Sequence, residues 1–232
     1  MDTRDIKIIG FDADDTLWVN EKYFREAEES FCELMERFSS KEKTMEVLFD
    51  IEMQNLALYG YGVKGFMLSM LETANRITDG KCDGLLVNKI IELGKAMLEK
   101  PVILLDQVHE ILKILHPEYK LVLVTKGDLL DQERKLKKSG LELFFHHIEI
   151  MSEKKKEDYQ KLIAHLDIPP NQFMMIGNSL KSDILPVTEI GCHAIYVPYE
   201  ITWQHEKVEA SDHQMSKYHQ VEHLREVLNV LM

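Results

Sequence analysis

The sequence has almost no means of cross-linking itself. Its three cysteines, Cys32, Cys82 and Cys192, are far apart and lack CxxC spacing. That pattern argues against a disulfide framework or a structural zinc, and it suits a reducing compartment. Long apolar runs are also missing: none approaches the roughly 18–20 residues of a membrane span. The stretch Met1–Lys7 carries mixed charge and no apolar signal core, so secretion is not expected and a cytoplasmic location is. Positive charge is in deficit, with 28 Lys and Arg against 40 Asp and Glu and a net charge of −12. Such a surface does not draw in nucleic acid or an anionic membrane. It would repel a phosphorylated ligand too, unless a local positive site overrides the overall sign. Repeats and low-complexity segments are absent. What remains is an ordinary globular composition, 45% hydrophobic and 29% charged, on a chain long enough to bury a full core.

The order of elements can be read from periodicity. Ile6–Phe11 is a short, β-branched apolar run, typical of a buried strand. From Asn20 to Lys100 the pattern turns helical, with stretches at Tyr23–Phe38, Lys43–Leu58, Val63–Arg76 and Leu85–Leu98. After Pro101 strands and helices alternate. Strands are predicted at Lys120–Val124, His147–Ile150, Gln172–Ile176 and His193–Val197. Helices are predicted at Gln107–Leu115, Leu129–Lys138, Lys156–Leu166 and Ile184–Glu189, with a last one near Gln220–Leu231. This alternation implies crossover connections and a mostly parallel sheet. The expected architecture is therefore an α/β, Rossmann-like core from 1–19 and 100–232, with a helical insertion at 20–99 directly after the first strand. Ligands of such sheets bind beyond the carboxyl ends of the strands.

Four polar clusters fall just after predicted strands. In the first, Asp12 and Asp14 stand two apart, a spacing that can aim both carboxylates to one side of a strand end. Such a pair suits a hard cation held by oxygen, although acidic residues after a strand also make turns or cap helices. The second, Thr125-Lys126-Gly127-Asp128, offers a hydroxyl, an ammonium and a glycine-freed backbone, the parts of an oxyanion cradle or of a capped turn. The third, Ser152–Lys156, contains three lysines, at least two of which belong on a solvated face. The fourth, Gly177–Asp183, places Asn178 and Asp183 where they could complete a metal shell, or where a Gly-Asn turn leads into a serine-capped helix.

Taken together and in this order, the clusters resemble the four motifs of the haloacid dehalogenase-like (HAD) hydrolase superfamily, led by FDADDTL at Phe11–Leu17. The resemblance spans the whole core. It implies Asp12 as a nucleophile forming an aspartyl-phosphate, and Asp14 as general acid and then base. It implies Thr125, Lys126 and Gly127 as the phosphate cradle, and Lys154 as the motif-three lysine with Lys155 as second choice. Mg2+ would be held by Asp12, Asp14 (through its main-chain carbonyl), Asn178 and Asp183. Two departures stand out: Asn178 where relatives carry aspartate, and Asp15 where they usually carry glycine. Asp14 is the residue that dehalogenases lack, because halide leaves without a proton. Its presence points to a phosphatase.

The insertion resembles the family's small helical cap. Its segment Tyr59–Phe66 carries three glycines, and from it Tyr59, Tyr61 and Lys64 are candidate substrate contacts, set against an ordinary helix–helix turn. Trp203, His205 and Glu206 border the site in relatives, or form a packed surface loop. The expected partner is a small phosphorylated metabolite, on a monomer or homodimer. The competing functions are a phosphomutase and a catalytically silent HAD-fold binding protein.

Overall fold

The computed structural model describes residues 3–208 and 210–232. It divides into two compact units. The first comprises Met1–Glu21, Val102–Lys126 and Gln132–Met232; the second comprises Lys22–Pro101 and Gly127–Asp131.

The first unit is a six-stranded sheet, entirely parallel, in the order β3-β2-β1-β4-β5-β6. Its strands are β1 (Ile8–Phe11), β2 (Lys120–Lys126), β3 (His147–Met151), β4 (Phe173–Gly177), β5 (His193–Tyr196) and the short β6 (His219–Gln220). The central strands read as continuous apolar runs because both faces are covered. Alternate residues divide between two cores. Ile9, Phe11, Leu121, Leu123, Met174 and Ile176 pack on one side with helix α5 (Val108–Leu115) and the C-terminal helix α10 (Val227–Leu231). Ile8, Val122, Val124, Phe173 and Met175 pack on the other with α7 (Lys156–His165) and α8 (Leu185–Glu189). Each of these large side chains is worth roughly 1.5–3 kcal/mol when fully buried. A one-residue slip of any strand would exchange its two faces, so register is strongly fixed.

The second unit is helical. It contains α1 (Glu21–Met35, its first residue belonging to the sheet unit), α2 (Lys41–Tyr59), α3 (Val63–Ile77) and α4 (Gly84–Glu99). Phe31, Met35, Leu48, Phe66, Met70 and Ile90 form its own core. Ser40 caps α2 by accepting from the Lys43 amide at 3.3 Å, and Asp83 caps α4 by accepting from the Leu86 amide at 2.7 Å. Such caps satisfy helix-end amides that have no intrahelical partner.

Differences from the sequence expectation are local. The tail near Gln220–Leu231 is not one helix: β6, a 3-10 turn at Leu224–Glu226 and α10 share it, along with α9 (Asp212–Met215) just before. The apolar spacing there is that of short pieces covering the sheet. In the fourth cluster Ser179 does cap, as the serine-capped reading expects, but the turn it caps, Leu180–Ile184, is π-helical and precedes α8. Helix α6 (Leu129–Ser139) follows β2, and its first residues group with the helical unit.

Candidate active site

Parallel pairing brings the carboxyl ends of β1, β2, β3 and β4 to one edge of the sheet, and each cluster emerges there. Asp12 continues the β1 ladder through its amide, which donates to the Ile176 carbonyl at 2.9 Å. Its carboxylate is almost wholly buried, with Oδ1 accepting from Lys154 Nζ at 2.5 Å and Oδ2 accepting from the Thr16 hydroxyl at 2.9 Å. Lys154 also donates to Asp183 Oδ1 at 2.7 Å, and Asp183 Oδ2 accepts from the Ser179 amide at 2.9 Å. A buried lysine therefore bridges two buried carboxylates, one from each side of the sheet's centre. Of the three lysines in the third cluster, Lys154 alone is buried; Lys155 is exposed at the start of α7.

The electrostatics follow from that burial. Burial and the charge of Asp183 raise the Asp12 carboxyl above its ordinary range, while Lys154 pulls it back. Burial alone would push the Lys154 ammonium down. The charges of Asp12 and Asp183 outweigh it and raise Lys154 well above the ordinary lysine value.

The loop holding Asp183 is tightly made. A Cβ on Gly177 would collide with the Asp183 carboxylate, so this position requires glycine. Ser179 Oγ accepts from the Ser182 amide at 3.1 Å, and the buried Tyr159 hydroxyl donates to the Ser182 carbonyl at 2.9 Å. The π-helical turn sits directly in this loop, a place where such turns often serve a site.

The Asn178 amide supplies the test for a metal. It is satisfied when its NH2 donates to Asp12 Oδ2 and the Asp14 carbonyl, each at 3.2 Å, and to Thr16 Oγ1 at 3.3 Å. Three oxygens thus converge on one donor. A hard, oxygen-seeking cation fits that set, with Asn178 turned over to offer its own oxygen. Asp183, with both oxygens already engaged, acts on this cluster through Lys154 and the Ser179 amide.

Asp14 is kept apart from the Asp12–Lys154–Asp183 chain. Its Oδ1 accepts from Lys135 Nζ at 2.6 Å and from the Trp18 indole at 2.7 Å, and its Oδ2 accepts from Gln132 Nε2 at 2.8 Å. Trp18 returns to Asp14 through a tight turn in which the Asp15 amide donates to the Trp18 carbonyl at 2.7 Å. Gln132 and Lys135 stand three apart on α6, on one helix face, and this spacing was the available signal for them. Asp15 has a left-handed φ of 61° and is buried, with its carboxylate accepting from the Asn20 amide at 2.8 Å and the Glu21 amide at 2.9 Å. Burial is the main reason its carboxyl is pushed up to about 7.

The second cluster differs from a free cradle. Thr125 is buried at the end of β2, pairing with Ile150. Lys126 Nζ, however, is bound by Glu206 Oε1 at 2.5 Å and Ser182 Oγ at 2.9 Å. Glu206 Oε2 accepts from Ser179 Oγ at 2.5 Å and Ser182 Oγ at 2.6 Å. Burial would raise the Glu206 carboxyl, but the Lys126 charge and these hydrogen bonds bring it down to about 2. The sequence gives no sign that these distant residues meet. Gly127, with φ 141°, begins the segment grouped with the helical unit. Within that unit the Tyr59 hydroxyl donates to Glu72 Oε1 at 2.7 Å, and Lys64 Nζ lies 2.8 Å from Asp128 Oδ2. Tyr61 is partly buried.

Comparison with known proteins gives the family and the fold. The sequence model of the haloacid dehalogenase-like hydrolases matches residues 6–191. The crystal structure of a haloacid dehalogenase-like family hydrolase from Xanthomonas campestris is 35% identical, with a TM-score of 0.87, over 100% of this chain and 94% of that one. The chain therefore belongs to the haloacid dehalogenase-like hydrolases. More distant folds include a predicted phosphoglycolate phosphatase from Haemophilus somnus, 16% identical with a TM-score of 0.66 over 100% of both chains. A 2-haloacid dehalogenase from Pseudomonas syringae is also 16% identical with a TM-score of 0.66, over 97% of this chain and 98% of that one. Equal likeness to both means that the fold by itself does not choose the reaction. No curated protein matches the sequence. Among the described residues, no helix is long and apolar enough to cross a membrane.

Proposed function

We propose that the chain is a magnesium-dependent phosphatase that hydrolyses small phosphate monoesters through an aspartyl-phosphate on Asp12. The observation that carries this reading is Asp14: a second carboxylate, two residues on, held by its own three donors beside the buried nucleophile. Halide departure needs no such group, whereas an alkoxide leaving phosphorus needs a proton.

In the proposed reaction Asp12 attacks phosphorus and forms the acyl phosphate while the ester oxygen departs with a proton from Asp14. Asp14 then takes a proton from water, which attacks the same phosphorus and returns Asp12 as a carboxylate with inorganic phosphate released. Lys154 offsets the charge that gathers on Asp12 and the phosphoryl oxygens, and Thr125 stands at the strand end to bind one of those oxygens. Asp12, the Asp14 carbonyl and Asn178 would hold Mg2+, which when bound supplies positive charge to the phosphoryl group. Asn178 gives an oxygen without a charge, so the site would hold the ion less tightly than with an aspartate at that position.

The test is release of inorganic phosphate from p-nitrophenyl phosphate and a panel of metabolite phosphates, with Mg2+ and with EDTA. Metal-dependent release that is lost in Asp12→Asn and strongly reduced in Asp14→Asn is expected. Conversion of sugar phosphates to isomers without free phosphate would replace the reading with a phosphomutase. No turnover by a folded, Mg2+-binding protein would leave a binding role.

A further inference from the structure

Three lysines at the carboxyl edge of the sheet face carboxylates, while Lys181 of the Asp183 loop donates to His205. Lys154 is shared by Asp12 and Asp183, Lys135 faces Asp14, and Lys126 faces Glu206. With each of them matched, a phosphate ester brings its phosphoryl charge to Mg2+ and Lys154, and a second anionic group on the alcohol finds none of these ammonium groups unmatched. Gln132 adds an independent sign. It is 4% exposed, gives its NH2 to Asp14 and to the Lys126 carbonyl at 3.1 Å, and leaves its buried Oε1 without a hydrogen-bond donor. An orphaned acceptor beside Asp14 suits a hydroxyl group and repels a carboxylate.

The decisive residue is Glu206. Lys126 directly follows Thr125 as the last residue of β2, at the same carboxyl edge of the sheet as Asp12. Glu206 reaches it from the segment after β5 and at the same time accepts from Ser179 and Ser182 of the Asp183 loop. Its side chain is only 11% exposed, so the pair is poorly screened by salt. We propose that Glu206 sets the substrate class: by occupying Lys126 it confines hydrolysis to phosphate monoesters of uncharged alcohols and turns away those bearing a carboxylate or a second phosphate. This rests on the phosphatase reading above.

A matched pair of esters tests it, 2-hydroxyethyl phosphate and phosphoglycolate, which differ only in CH2OH against carboxylate. Steady-state kcat/KM is measured for both with Mg2+, in the wild-type protein and in Glu206→Gln. The wild type is expected to favour the neutral ester by roughly 10- to 100-fold, the scale set by one mismatched group in a site. Without the Glu206 charge beside it, Lys126 is expected in Glu206→Gln to compress that ratio at least about tenfold, mainly through a lower KM for phosphoglycolate. A purely structural role for Glu206 would lower both rates together and leave the ratio unchanged, and that result overturns the proposal. So does a wild type that prefers phosphoglycolate, with the phosphatase reading left standing. If neither ester is hydrolysed while p-nitrophenyl phosphate is, the proposal falls and the phosphatase reading stands; if no ester of the panel is hydrolysed, both fall. Should Glu206→Gln not fold, Lys126→Met decides. It leaves Glu206 without its cation and is expected to keep or widen the preference, and loss of the preference would overturn the idea.

Discussion

Lys135 Nζ lies 2.6 Å from Asp14 Oδ1, and the same ammonium reaches Asn20 Oδ1 at 3.1 Å. A helix that follows the second strand thus orients the carboxylate that follows the first. Lys135 does not touch Asp12, Asn178 or Asp183 through any hydrogen bond described above, so its effect should be confined to proton transfer. Lys135→Met is expected to lower kcat about 10- to 100-fold, within the range that positioned acid–base groups supply, while Mg2+ affinity measured by calorimetry stays at the wild-type value. Equal kcat in the two proteins would show that Asp14 needs no such support.

Removing Lys154 leaves two buried carboxylates facing each other. Lys154→Met is expected to abolish turnover and to destabilise the fold by roughly 3–5 kcal/mol, the usual cost of breaking a buried ion pair from one side. Without the lysine Asp12 binds a proton more readily in the folded state, so the deficit should shrink as pH falls. Urea unfolding at pH 7.5 and pH 5 measures it. A deficit that grew on acidification would contradict the arrangement.

Glu206 gives stability a definite pH dependence. Its carboxyl lies at about 2 in the folded protein against an ordinary 4.5. A depressed folded value means that the stabilisation is fully present above the unfolded value and is lost as pH falls through the folded one. The window is therefore between about pH 4.5 and 2, and the amount lost is on the order of 3 kcal/mol. Glu206→Gln should flatten the stability curve over this window in denaturant titrations. An unchanged slope would mean that Lys126 and Glu206 are not paired in solution.

Asp15 has two separable roles, holding a left-handed φ of 61° and capping the start of α1. Asp15→Gly keeps the backbone conformation and loses the cap, at a cost of about 1 kcal/mol. Asp15→Ala loses the cap and adds left-handed strain of roughly 1–2 kcal/mol. Thermal unfolding should rank them wild type, glycine, alanine, and a tie between the two variants would remove the strain argument.

Much of this was legible in the sequence because it rests on local signals. The apolar runs pointed to the parallel strands, and polar clusters directly after them, together with their resemblance to the hydrolase motifs, pointed to Asp12, Asp14, Lys154, Asn178 and Asp183 as neighbours. Helical periodicity gave α1 to α4 within a few residues. Other features depend on tertiary contact. Nothing near Lys126 in sequence tells that Glu206, 80 positions away, will neutralise it, so Lys126 read as a free phosphate ligand. Asp15 stood out only as a departure from the usual glycine, because its capping role depends on a turn through Trp18. The second residue of β6, Gln220, was absorbed into a predicted helix, since a strand that short has no period of its own.

The most direct measurement is phosphate release from p-nitrophenyl phosphate with Mg2+, run beside halide release from a 2-haloacid and repeated with EDTA and with Asp12→Asn. Metal-dependent phosphate release that the variant abolishes, without halide release, is the predicted result. Halide release, or phosphate release that survives Asp12→Asn, would contradict the assignment of Asp12 and Asp14.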